Sequence, residues 1–138
     1  RTHVVILDSN YLGALVDGKA SALDLAEDFE RRAVPTRVPT AVVWEAYTGV
    51  ASAGRETTVD ELRSLYDRLL ESRSTVSLTD EVARRAGKLN GRHQLSDELP
   101  ELDGVDSIVA THGLMLDESV VSNDQVFQDV DGLAVVSF

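Results

Sequence analysis

Cysteine is absent from the chain. Its absence excludes disulfides, thiolate metal sites and thiol nucleophiles, and leaves site chemistry to oxygen ligands and three histidines. Long apolar runs are missing as well. No segment approaches the ~20 consecutive apolar residues that cross a bilayer, and the opening RTHVVILDSN has no apolar stretch of signal-peptide type. A cytoplasmic protein without membrane association is therefore expected. Positive charge is scarce: 13 Lys and Arg stand against 24 Asp and Glu, for a net charge of −11. Lys19 and Lys88 are the only lysines, and Asp outnumbers Glu. The sign is wrong for a polyanionic partner, but it suits a protein of a high-salt cytoplasm, as in a halophilic archaeon. There, net charge sustains solubility and self-repulsion is screened within ~3 Å at molar ionic strength. Net charge bears on solubility rather than on fold, so it does not exclude a nucleic-acid substrate.

What is present is an alternation of helix and strand. The length, with 43% apolar content, predicts a single domain over 1–138. Val4 to Leu7 is a short, continuous apolar run of the kind found in parallel strands covered on both faces. A helix follows from about Asn10 to Val16. Ala22, Leu25, Ala26, Phe29 and Ala33 recur at helical spacing, giving a second helix that ends before Pro35. Val38, preceding Pro39, must be extended. Thr40 is a candidate N-cap for a helix bearing Val43, Ala46, Tyr47 and Val50, with Gly54 as its terminator. Thr58 and Glu61 form a capping-box pattern opening a helix with Leu62, Leu65, Tyr66 and Leu69 on one face. Thr75 to Leu78 reads as a strand, and Thr79 or Asp80 caps a helix through Leu89. SDELPELDG, from Ser96 to Gly104, is a loop. Val105 to Leu116 is helical, and Ser119 to Ser122 and Leu133 to Val136 are strands. Such alternation implies a parallel sheet wrapped by helices, an α/β fold of three α/β/α layers.

Open parallel sheets bind ligands beyond the carboxyl ends of their strands. Asp8 ends the first strand and Asp124 follows the strand Ser119 to Ser122. Glu45 lies one turn into the helix after Val38, and Asp106 opens the helix after Gly104. All four can converge on one edge. Taken singly, Asp106 also reads as an N-cap and Asp124 as a turn residue. Asp8 is different, because a charge at the end of a buried strand is costly unless paired or metal-bound. Glu45 is different because it interrupts AVVWEAY, where Trp44 and Tyr47 read as core residues rather than as stacking platforms. Clustered carboxylates stay ionised only beside a cation. All-oxygen ligation favours Mg²⁺ or Mn²⁺, which would position and acidify a water for attack on a phosphodiester.

Other patterns carry less. GALVDGKA, Gly13 to Ala20, approaches a P-loop but has Ala20 where the metal-binding Ser or Thr belongs. His3, His93 and His112 lack metal-ligand spacing and read as packing or surface residues. From the residues alone, Asp8 also suits a phosphotransfer enzyme or a receiver-like domain.

The segments VVILDSNYL, VPTAVVWEAYTG, GVDSIVATHG and VVSNDQVF resemble, in order, the four acidic motifs of PIN domains across nearly the whole chain. In that resemblance Asp8, Ser9 and Asn10 match the first motif, Glu45 the second, and Asp106 with Ile108, Ala110 and Thr111 the third. Ser122, Asn123, Asp124 and Phe127 match the fourth. The resemblance implies a metal-dependent endoribonuclease with Asp8, Glu45, Asp106 and Asp124 as ligands and Asn10, Ser122 and Asn123 in support. Asp103 and Asp129 are further acids outside that set. A small single-domain member resembles the VapC toxins, which implies an RNA substrate, a protein antitoxin and a homodimer. A stand-alone RNA-processing nuclease and a catalytically silent binding module of the same family stay open. Arg37, Arg84, Arg85, Lys88 and Arg92 are candidates to line an approach for RNA.

Overall fold

The run VIL forms β1 (Val5–Leu7), and all three residues are buried, as expected of a strand covered by helices on both faces. In the computed structural model, which describes residues 3–53 and 56–138 and the side chains of all of these but 56 and 57, β1 is the centre of a five-stranded sheet. The other strands are β2 (Thr36–Pro39), β3 (Ser74–Val76), β4 (Ser119–Val121) and β5 (Val135–Val136), in spatial order β3-β2-β1-β4-β5. Every neighbouring pair is parallel. Among the described residues six α-helices connect them: α1 (Ser9–Val16), α2 (Ala20–Arg31), α3 (Thr40–Ala51), α4 (Glu56–Glu71), α5 (Asp80–Leu95) and α6 (Gly104–Leu116). The expected α/β architecture with a parallel sheet is what is found. From β1 the chain moves outward through β2 to β3, then returns to the other side of β1 as β4. The strand order therefore reverses between β1 and β4, the place where such sheets open a crevice.

The core fills the space around these two strands with Ile6, Leu7, Leu12, Val38, Val42, Val109, Val120, Val121 and Phe127, all fully buried. Gly113 of α6 makes one close approach possible. A Cβ there would stand 2.6 Å from Leu133 Cδ1 and 3.0 Å from the Glu118 carbonyl oxygen, so only glycine lets α6 settle against β4 and the segment before β5.

Several expected boundaries shift for local reasons. Pro39, not Thr40, is the N-cap of α3; the Thr40 hydroxyl is engaged instead by the Leu78 N–H at 3.3 Å. The buried stripe of α3 is Val42, Ala46 and Val50, which turns Trp44 outward to 65% exposure, so Trp44 is not a core residue. Tyr47 is half-buried, donates to Asp67 and leans on Tyr66. Ala33 lies beyond α2 in the left-handed region, φ 54°, because the chain must turn sharply from helix to β2. α4 already runs through Thr58, so Thr58 is a helical residue and no capping box begins there. Gly54 lies outside the described residues. The P-loop-like glycine Gly18, φ 69°, makes a helix-to-helix turn between α1 and α2 rather than a strand-to-helix loop. Among the described residues no helix is long and apolar enough to cross a membrane.

Candidate active site

Asp8 follows β1 directly, and its backbone N–H continues the sheet ladder to the Val121 carbonyl at 3.2 Å. That hydrogen bond fixes the backbone at the reversal point, so the side chain has to stand where β1 and β4 diverge. Asp8 is 2% exposed. Ser122, the residue after β4, donates its hydroxyl to Asp8 Oδ2 at 2.9 Å and accepts the Asp124 N–H at 3.0 Å. The other carboxylate oxygen, Oδ1, is buried and has no hydrogen-bond partner. Burial pushes the Asp8 carboxyl up to about 6; the Ser122 hydroxyl and the Ser9 N–H pull it back, and the charges of Glu45 and Asp124 push it further up.

Asp106 reaches the same space from the first turn of α6. Asp103 is the N-cap of that helix, accepting the Asp106 N–H at 2.7 Å. The capping work falls to Asp103, and the Asp106 side chain is left for the site. Its carboxyl is pushed up to about 7 by burial first, and then by the charges of Asp103, Asp8, Asp124 and Glu45. Asp8, Glu45, Asp106 and Asp124 thus act on one another electrostatically, as four acids sharing a crevice must. Asp103 joins them as a neighbour of Asp106, whereas Asp129 takes no part in these couplings.

Two of the acids are tethered. Glu45 accepts a hydrogen bond from the Ser9 hydroxyl, across from α1. Asp124 caps the 3₁₀ turn Gln125–Asp129 through the Val126 N–H at 3.2 Å. Consistent with these tethers, no three His, Asp or Glu side chains among the described residues are drawn tightly enough together to ligate one ion. Ligation by Glu45 requires its free oxygen or the release of Ser9. Ser9 was legible in the sequence only as the small hydroxyl residue of a motif; its partner, 36 residues away, was not.

The supporting amides hold the rim. Asn10 Oδ1 accepts the Asn123 N–H at 2.8 Å. The Asn123 side chain donates to the Phe138 carbonyl at 2.7 Å and accepts the Phe138 N–H at 2.8 Å, and Phe138 packs edge-on to Tyr11. Asn10 and Asn123 therefore join the loop after β4 to the start of α1 and keep Ser122 beside Asp8.

In chemistry the donor set fits a hard dication: it is all oxygen, with one buried carboxylate oxygen lacking a partner and a mutual repulsion that protonation or a bound cation relieves. No cation of the described residues is among the charges that act on Asp8 or Asp106. Arg37 pairs with Glu118 at 2.9 Å, toward the amino ends of the strands. Arg84 and Arg85 pair along α5 with Asp80 and Glu81. Arg85, Lys88 and Arg92 border a separate hollow of about 260 Å³ with Leu114 and Met115. The histidines are packing or surface residues: His93 engages the Pro100 carbonyl at 2.9 Å, His112 is buried with its pKa lowered by that burial, and His3 is exposed.

An α/β domain with acids gathered at the reversal of a parallel sheet is the class that fold and site define. The chain belongs to the PIN domain family, whose model matches residues 5–133. No curated protein matches the sequence. Among solved structures, the chain is similar to one in VapBC2 from Rickettsia felis bound to a DNA fragment from their promoter. The TM-score is 0.83 at 14% identity, covering 98% of both chains. It is also similar to one in VapBC-1 from nontypeable Haemophilus influenzae, with TM-score 0.76, 17% identity and 97% of both chains covered. A third is VapC20 of Mycobacterium tuberculosis, a sarcin-ricin loop cleaving toxin, with TM-score 0.69, 16% identity, and 92% of this chain and 95% of that one covered. At such identities the likeness is one of fold, and function rests on the site.

Proposed function

We propose that this PIN domain is a metal-dependent endoribonuclease, acting as the toxin of a toxin-antitoxin pair. The observation that carries the reading is the partnerless, buried Asp8 Oδ1 at the β1/β4 crevice, surrounded by the charges of Glu45, Asp106 and Asp124. Asp8, Glu45, Asp106 and Asp124 would hold Mg²⁺ or Mn²⁺. When bound, such an ion supplies a water of lowered pKa and charge stabilisation on the phosphodiester. The chain's own residues orient that chemistry. Ser122 holds one oxygen of Asp8 and leaves the other without a protein partner, Ser9 steers Glu45, and Asn10 and Asn123 hold the rim. Asp103 organises the first turn that presents Asp106.

The toxin reading is supported by family membership and by the likeness to chains in VapBC complexes over nearly the full length. It brings a protein antitoxin and a homodimer as partners. The charge of −11 with two lysines is read as adaptation to a high-salt cytoplasm. The test is cleavage of single-stranded RNA with Mn²⁺ or Mg²⁺ in high salt by the parent and by Asp8→Asn. Cleavage by the parent alone supports the reading; equal cleavage by both proteins overturns it. For the toxin, a small protein encoded beside this one should bind it and stop cleavage.

A further inference from the structure

A groove of about 700 Å³ opens beside Asp106, between α5 and the segment Glu101 to Ile108. That volume lies within the ~300–1,000 Å³ of small-ligand sites. One wall is the stripe Ala83, Gly87, Asn90 and Gln94 of α5. A Cβ on Gly87 would meet no atom within 4 Å, so the space over it is open. Because Asp106 belongs both to the acidic crevice and to this groove, a strand with its phosphate at the crevice would have its adjoining nucleoside toward the groove.

The chemistry of the walls selects what enters. Among the described residues, no cation lines the groove, so it does not hold a phosphate. The Asn90 amide is already committed, donating to the Leu102 carbonyl at 2.5 Å and accepting from Gln94 Nε2 at 2.8 Å. Acceptors are what the walls offer: Gln94 Oε1, the Glu101 carboxylate and the Asp103 oxygen not used in capping α6, with apolar surface from Ala83 and Ile108. A flat, uncharged ring bearing an amino group matches both features, since carboxylates and amide oxygens accept from exocyclic amines of bases. Resting on the nuclease reading above, we propose that this groove is the base subsite beside the scissile phosphodiester, selecting amino-bearing bases (cytosine, adenine, guanine) over uracil. Uracil has no exocyclic amine, and its single N3–H is flanked by two carbonyl oxygens that would face the acids.

Titration of isotope-labelled protein with free nucleosides, followed by NMR, tests the subsite without any cleavage. Cytidine, adenosine or guanosine should shift the Gly87 and Gly104 amides and the Asn90 and Gln94 side-chain amides, and uridine should not. Gly87→Leu should abolish the response by filling the groove, while improving helix propensity so that folding is retained. Glu101→Gln should weaken it about tenfold. Equal response to uridine, an unchanged response in Gly87→Leu, or no shifts at these amides overturns the proposal. With RNA as substrate, the Gly87→Leu loss should be read in KM, about tenfold, rather than in kcat. A parent that cleaves no RNA removes the nuclease reading, while the nucleoside titration still decides the groove.

Discussion

The two ends of strands β1 and β4 bury acids under opposite arrangements. At the amino end Glu118 is almost fully buried, and Arg37 from β2, on the other side of β1, meets it at 2.9 Å. At the carboxyl end Asp8 is buried even more completely, its side chain accepts a hydrogen bond from the Ser122 hydroxyl alone, and its near charges are all negative. Removing a charge from water is costly in both places. The amino end offsets that cost from within the chain, which is what a structural ion pair does. The carboxyl end leaves it uncompensated, which is the arrangement the proposed metal site requires.

The largest effect should come from breaking the carboxyl end. Asp8→Asn or Asp106→Asn should lower RNA cleavage by more than the ~10–100-fold typical of groups that only orient a metal ligand, measured as kcat/KM in saturating Mn²⁺. Arg37→Ala should leave cleavage near the parent's value and instead lower stability by about 3 kcal/mol, because Glu118 is then buried without a partner; denaturant unfolding measures this. The paired replacement Arg37→Met with Glu118→Leu should recover most of that loss.

Metal-free stability sharpens the contrast through pH. The Asp8 carboxyl is raised in the folded state from 3.8 to about 6, so between those values the folded protein binds the extra proton. Stability from this group is therefore full below about pH 4 and is lost as pH rises through 6. The loss is on the order of 3 kcal/mol at about 1.4 kcal/mol per unit, and Asp106, raised to about 7, adds a loss of the same sign. Thermal unfolding in a chelator should show falling Tm from pH 4 to 7, reversed by Mn²⁺ at pH 8. Asp8→Asn should flatten the fall and abolish its reversal. A Tm that rises with pH in chelator would contradict the uncompensated cluster.

Two smaller effects leave the buried acid side chains untouched. Gly113→Ala should cost about 1–3 kcal/mol by overpacking against Leu133 and the Glu118 carbonyl. Ala33→Gly should stabilise by several tenths of a kcal/mol, up to about 1, by relieving the left-handed φ of 54°.

Much of this was legible in one dimension because it depends on local order. The apolar run before Asp8 made a buried strand, and helical periodicity with its prolines and caps made the alternation that becomes a parallel sheet. Errors came where a choice between neighbours is settled by packing. Trp44 sits beside Val43 in an apolar string, yet α3 turns Val42, Ala46 and Val50 inward and leaves Trp44 in solvent. Asp103 and Asp106 both suit a helix start, and only the backbone geometry gives the cap to the first. Arg37 looked free until the fold set Glu118 against it.

For this protein the sequence by itself determined the α/β order of elements, the family and the candidate acids, since each is written in short-range pattern and motif. Only the tertiary structure decided that Asp8 keeps a partnerless oxygen, that Ser9 and Asp124's own cap hold two acids back, and that Asp106 opens onto a groove. Apart from Asp124's cap, which is local, those are relations between residues far apart in the chain, and they exist only once the strand order reverses between β1 and β4.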